Sequence, residues 1–394
     1  MPTIIVEPTE ACNARCAYCY VVNRESRATK TMSLETLDLL FFRINEYLAA
    51  RPKEFMGLVW HGGEPLILGV EWFEAALGFQ KRHCPTTAPR IRHAIQSNLT
   101  LLTLDFVRIF KKLGITTVGS SYDPFSNLRR LGDARDAAEY NRRYRDGVEL
   151  LKREGMGCGI AYVVTRLSLD RPLEIFSHLL EFGVSGPIDF NPVRIYGEDF
   201  GDLKITAGEY ADFLGAIFPV WWRDRAGLPD IGPFSPLVRN LLDGDRRVYC
   251  RDSGRCAQVY LNLEPDGSLS HCNRLSKADV VDYGTIHDRT LAEALADPKR
   301  YLLLERNRVL FEGECQGCRF WKICHGGCPA DSWHETGSLL HKSSLCDARK
   351  GFVEKYVEPT ILDGLRSQGG GLPTRTADPD GRERFSPDGI GGAT

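Results

Sequence analysis

The side chains of this protein best suited to chemistry are its cysteines, and their spacing is uneven. Cys12, Cys16 and Cys19 crowd one short loop, "EACNARCAYCY", in the pattern C-x3-C-x2-C. A disulfide uses two thiols and a closed zinc site usually wants four ligands, so three thiols in one loop suit a metal centre with a vacant position. Such a trio can ligate three irons of a cubane cluster and leave the fourth open to a small molecule; the competing arrangement is a zinc ion completed by a distant His or Cys. Tyr18 within the loop and the downstream pair Gly62-Gly63 favour the cluster. A second concentration lies toward the C-terminus: Cys250, Cys256 and Cys272, then "CQGCRFWKICHGGC" with Cys315, Cys318, Cys324 and Cys328, and finally Cys346. Of the 13 cysteines only Cys84 and Cys158 stand apart. Cys158 reads as a buried, inert thiol, and Cys84 has no assigned role.

The elements that must position these groups repeat a short apolar strand followed by an amphipathic helix. Strands are expected at 3–8, 57–62, 92–98, 116–123, 159–165 and 187–193, with helices at 33–50, 102–114 and 139–155. Six such units over residues 1–225 predict an α/β fold, a partial (β/α)6 parallel barrel. The unusual residues follow the C-terminal ends of the expected strands, the face on which barrel enzymes place their chemistry. The cysteine loop follows the first strand, "HGGEP" the second, "QSN" the third, "SYDP" the fourth and "NPVR" the sixth. Residues 226–350 are expected to form a cysteine-rich second domain, in which "CAQVYLNLEPDGSLSHC" predicts a β-hairpin. A helix is expected over 351–366 and a disordered tail over 367–394, where Gly, Pro and charge dominate. The tandem Trp221-Trp222 falls in a helical pattern and reads as packing.

Composition excludes several partners. With 394 residues, 43% hydrophobic and 26% charged, the chain can bury a large core. Its net charge of −2 and lack of a long basic run argue against nucleic acid. No apolar run approaches the roughly 20 residues that span a bilayer, and no signal peptide is visible, so a cytoplasmic location is expected. In that reducing setting thiols are metal ligands or catalysts more often than disulfides.

The octapeptide C-N-A-R-C-A-Y-C, followed after the next strand by G-G-E-P, resembles the radical SAM superfamily. The resemblance implies that Cys12, Cys16 and Cys19 hold a [4Fe–4S] cluster whose open iron binds S-adenosylmethionine, which is cleaved reductively to a 5′-deoxyadenosyl radical. It implies that Tyr18 lies near the adenine and that Gly62, Gly63 and Glu64 meet the methionine ammonium, with Glu64 as acceptor. Ser97, Asn98 and Ser121 would contact ribose or carboxylate, and Asn191 would lie on the same face. From Cys256 onward the pattern C-x10-G-x4-C, then C-x2-C-x5-C-x3-C and a last Cys, resembles a SPASM domain. That likeness implies two further [4Fe–4S] clusters: Cys250, Cys256, Cys272 and Cys328 on the inner one, Cys315, Cys318, Cys324 and Cys346 on the outer. His325 would then be a donor behind a cluster rather than a ligand.

Such enzymes oxidise peptide or protein side chains, and a ferredoxin- or flavodoxin-type donor would supply electrons. The eight auxiliary cysteines look most like the anaerobic sulfatase-maturating branch, which makes formylglycine. Asn273, however, stands where that branch carries a carboxylate, and an amide cannot act as general base. The expectation is therefore another modification of a ribosomal peptide or protein, a crosslink or thioether, with formylglycine formation as the alternative. A radical enzyme on a free small molecule and a multi-cluster electron-transfer protein are the remaining readings. Asp123 and Asn273 are the candidate catalytic residues, with Asn191, Arg194 and Tyr196 on the substrate side. Because the cluster loop begins at residue 12, leader binding would fall to a separate protein or to the barrel.

Overall fold

A computed structural model describes residues 1–19, 29–194, 201–244, 249–276, 278–367, 374–377 and 383–386. The chain opens with β1 (Thr3–Val6), α1 (Leu34–Ala49), β2 (Met56–Trp60), α2 (Val70–His83), β3 (Ile91–Gln96), α3 (Leu104–Lys112), β4 (Thr117–Ser121), α4 (Ala137–Arg153), β5 (Gly157–Val164), α5 (Pro172–Glu181) and β6 (Ile188–Pro192). It continues through α6 (Ala207–Asp224), β7 (Ile231–Gly232), α7 (Phe234–Asp243), α8 (Cys256–Val259), β8 (Tyr260–Leu263), β9 (Ser268–Ser270) and β10 (Asp282–Thr285). Short α9 (Leu291–Leu295), then α10 (Arg300–Glu312), α11 (Trp321–Cys324), α12 (Pro329–Thr336), α13 (Cys346–Phe352) and α14 (Glu358–Ser367) complete the helices.

Strands β1 to β6 pair in parallel in chain order, each separated from the next by a helical crossover. Each strand turns an apolar face into the core, as in Ile4, Val6, Leu58, Trp60, Ile160, Val164 and Phe190, all at most 1% exposed. Helix boundaries are set locally. The Ser33 hydroxyl caps α1 by accepting from the Thr36 amide at 3.1 Å, and Asp136 caps α4 by accepting from Glu139 at 2.9 Å. Trp221 packs beside Phe218 and Phe234, and Cys84 and Cys158 are buried.

The expected parallel barrel is present, and among the described residues its sheet runs past residue 225 to ten strands: β7 adds to β6, and on the opposite edge β8 pairs in parallel with β1, register Thr3 with Tyr260, carrying β9 and β10. The expected cysteine-rich domain is thus hydrogen-bonded into the barrel sheet. In the C-terminal segment, Thr374–Ala377 and Glu383–Ser386 form an antiparallel pair where disorder was expected. The rest of that expected tail lies outside the described residues.

Candidate active site

The cysteine loop is clamped on two sides by backbone. Arg15 and Ala17 donate their amides to the carbonyls of Arg130 and Leu128 at 2.7 and 2.9 Å, and Gly132 donates to Asn13 at 2.9 Å, so the segment after β4 runs along the loop. From the other side, Gly63 donates to the Thr9 carbonyl at 2.9 Å and Glu64 to that of Ala11 at 2.8 Å. A Cβ on Gly63 would collide with the carbonyl oxygens of Ala11 and Glu10, and Gly62 takes φ +101°, open only to glycine without strain. The glycine pair lets the loop after β2 press against the loop after β1.

Glu64 is 1% exposed and accepts from Leu66 N at 3.0 Å, Ser97 Oγ at 2.9 Å and Asn98 N at 2.6 Å. Burial pushes its carboxyl up to about 7 against those three donors. Ser97 and Asn98 are therefore tied to Glu64. The Asn98 amide also reaches the cysteine loop, donating to Asn13 Oδ1 at 2.8 Å, while Asn13 donates to Thr100 at 2.8 Å. Ser121 accepts from Gln96 at 3.1 Å.

Asp123, the candidate catalytic carboxylate, is held by internal partners. Its carboxylate accepts from Tyr18 OH, from Arg129 Nε at 2.7 Å and from Val163 N at 2.9 Å, at 5% exposure. It ties the cysteine loop to β5. Tyr18 lies under Arg129, whose guanidinium carbon is 5.4 Å from the ring centroid and whose Nη1 is 3.9 Å from Cys16 Sγ. Burial raises the Cys12 thiol to about 12 and Cys16 to about 11, and Cys12 also feels the charges of Cys16 and Cys19.

The remaining thiols fall into two electrostatic groups. Cys328 acts on Cys250, Cys256 and Cys272, which act on one another. Cys346 and Cys318 act on Cys315, and Cys346 acts on Cys324. Around them stand more cations than anions. Asp331 pairs with Arg194 at 2.5 Å and with Arg274, and Asp252 pairs with Arg349 at 2.7 Å and Arg251 at 3.6 Å. Arg251 also donates to Asn191 at 2.6 Å, and Arg274 to Cys328 Sγ at 3.2 Å. Asn191 and Arg194 thus face the auxiliary lobe, whereas Tyr196 lies outside the described residues. Asn273 is 7% exposed, its amide nitrogen 3.5 Å from His61 Nδ1, so it joins the lobe to the loop after β2. His325 sets its Nδ1 2.7 Å from the Asp252 carbonyl.

Eight thiols amid a surplus of arginine fit anionic iron–sulfur clusters. Arg306 Nε is a buried donor without a hydrogen bond in the field of the thiols, where a sulfur-rich cluster would satisfy it.

A parallel sheet with a three-thiol loop and a glycine-glycine-glutamate loop across from it finds its match in the family comparison: residues 6–179 fit the radical SAM superfamily. Those residues are a radical SAM domain. The whole chain is similar to a serine-type anaerobic sulfatase-maturating enzyme of Klebsiella aerogenes, 28% identical over 83% of this chain and 79% of that protein. A cysteine-type counterpart from Clostridium perfringens is 24% identical over 92% and 97%. Among solved structures, native anSMEcpe with bound AdoMet superposes with a TM-score of 0.80 at 22% identity over 93% of this chain and all (100%) of that one. Streptococcus suis SuiB bound to S-adenosylmethionine gives 0.58 at 17%, over 88% and 77%. These superpositions establish the fold of the chain, including its cysteine-rich C-terminal region. A radical SAM domain implies a [4Fe–4S] cluster and S-adenosylmethionine.

Asn13, Thr100, Arg129, Arg251 and Asp331 were not anticipated from sequence. Asn13 carries a hint, standing inside the cysteine motif, but the others act through contacts between segments far apart in the chain.

Proposed function

We propose that this chain is a radical SAM maturase that oxidises a side chain of a peptide or protein, with one cluster site on the barrel and two in the auxiliary lobe. The observation that carries the reading is the sorting of eleven cysteines into a trio and two quartets on a fold of this kind. When bound, the cluster and S-adenosylmethionine supply a primary carbon radical that can take hydrogen from an unactivated C–H bond. Cys12, Cys16 and Cys19 would hold that cluster; Cys250, Cys256, Cys272 and Cys328 the inner auxiliary one; Cys315, Cys318, Cys324 and Cys346 the outer. Glu64, whose Oε2 accepts one protein hydrogen bond, Asn98 N, has capacity for the methionine ammonium. Asp123 and Arg129 hold Tyr18 over the site, and Asn273 reaches the active face beside His61.

The similarity to sulfatase-maturating enzymes supports formylglycine formation on a serine or cysteine. One residue favours a second product: Asn273 cannot take the hydroxyl or thiol proton that aldehyde formation releases, which suits a carbon–carbon crosslink, whose formation deprotonates neither group. The test is anaerobic turnover of sulfatase-derived Ser and Cys peptides deuterated at Cβ. Deuterium in 5′-deoxyadenosine with a hydrazide-reactive aldehyde supports the first product. Hydrogen transfer from encoded peptides without aldehyde supports the second, and no deoxyadenosine at all overturns the reading.

A further inference from the structure

The inward face of α10 breaks the usual pattern of a packed helix. Such a helix turns an apolar stripe toward the core, yet α10 buries Arg300, Leu303, Arg306 and Leu310 there. Arg306 is 3% exposed. Its Nη1 donates to the His325 carbonyl at 3.1 Å, and its Nη2 to those of Gly326 at 3.0 Å and His341 at 2.9 Å. Its Nε is buried and makes no hydrogen bond. The partners are neutral, and the negative groups acting on it are the thiols of Cys256, Cys328, Cys315 and Cys324. The first two belong to the inner quartet and the last two to the outer. His325 and Gly326 lie between Cys324 and Cys328, one cysteine from each. A buried guanidinium with no carboxylate is strongly unfavourable, so its surroundings in the working protein must carry negative charge.

We propose that Arg306 is the cation shared by the two auxiliary cluster sites, placed between them with its free Nε–H directed to a cluster sulfur, and that it sets both reduction potentials. The inference rests on the proposed reading that both quartets hold [4Fe–4S] clusters. A buried positive charge stabilises the more negative, reduced form of each cluster, so its loss should lower both potentials together. An arginine that merely staples the Cys324–Cys328 loop through carbonyls would leave them in place.

The experiment uses the full chain, reconstituted anaerobically, as wild type, Arg306→Gln, Arg306→Lys and Arg308→Gln. Arg308 lies on the exposed face of the same helix, paired with Glu305 and Glu312. EPR-monitored redox titration should show both auxiliary midpoints moved to lower potential in Arg306→Gln, a smaller shift in Arg306→Lys, and none in Arg308→Gln. The barrel cluster should keep its potential throughout. Full iron content with unshifted midpoints in Arg306→Gln overturns the proposal. Should that variant lose its clusters, pulsed EPR on wild type made with isotope-labelled arginine decides: nitrogen coupling to a reduced auxiliary cluster supports the assignment, and its absence overturns it. A wild-type iron count of about four rather than about twelve would instead overturn the three-cluster reading beneath it.

Discussion

The cysteine loop of the barrel and the thiol quartets of the auxiliary lobe hold the same side chain in opposite surroundings. Around Cys12, Cys16 and Cys19 the supports are mostly neutral: the Asn98 amide, Asn13, Thr100 and backbone from two neighbouring loops, with Arg129 spent on Asp123. Around the quartets stand Arg194, Arg251, Arg274, Arg306 and Arg349 against Asp252 and Asp331. The difference follows from what each place must accept. A site with a vacant position takes a zwitterionic ligand and needs an open acceptor such as Glu64 and a stiff frame. Under the proposed reading, sites with complete thiol sets would take only a buried anion, and the protein must bring its own counter-charge.

The comparison is broken most severely by removing thiols. Cys16→Ala should reduce deoxyadenosine formation to background and iron content by about four, leaving the auxiliary EPR signals. Cys256→Ala should do the reverse, sparing reductive cleavage while losing peptide product. Either variant abolishing both would mean that the two regions are not separable. Next comes Gly63→Ala, whose methyl would meet the Ala11 and Glu10 carbonyls. It should cost about 1–3 kcal/mol in unfolding measured by denaturant and weaken S-adenosylmethionine binding in calorimetry.

Asn98→Ala sharpens the contrast by removing one neutral support, the 2.8 Å bond to Asn13. A loss of about 1 kcal/mol is expected by chemical denaturation, with auxiliary potentials untouched. The smallest effect concerns pH. The Glu64 carboxyl moves from 4.5 to about 7 on folding because burial favours its neutral form. A raised value means that its contribution is complete below pH 4.5 and is lost as pH rises through about 7. The melting temperature of ligand-free protein should fall across that window. Glu64→Gln should flatten the fall, and saturating S-adenosylmethionine should offset it by favouring the carboxylate. A wild-type profile identical to that of Glu64→Gln would show that the ionisation of Glu64 has no part in stability.

How much was legible in the sequence depends on the range of the interaction. Strands β1 to β6 lie within a few residues of their expected positions because each is a short segment with buried apolar positions bounded by turn chemistry. The hairpin Tyr260–Leu263 with Ser268–Ser270 was readable from its Pro-Asp-Gly turn, but its parallel seat beside β1 was not, since no local pattern records a partner over two hundred residues away. Gly62, Gly63, Glu64 and Asp123 stand out in the sequence as unusual, but their internal partners, the carbonyls of Thr9 and Ala11 and the side chains of Ser97, Tyr18 and Arg129, come together only in three dimensions. The buried arginines of α10 did leave a trace: Arg300 and Arg306 interrupt the stripe that Leu303 and Leu310 would otherwise make apolar.

The seat of β8 beside β1 also imposes an order in time. Tyr260 is made more than two hundred residues after its partner Thr3, once most of the barrel has been synthesised. At about 5–20 residues per second β1 waits on the order of 10–50 s with that edge unpaired. Truncations that keep β1 to β6 but end before Tyr260 should emerge with that edge exposed and prone to self-association.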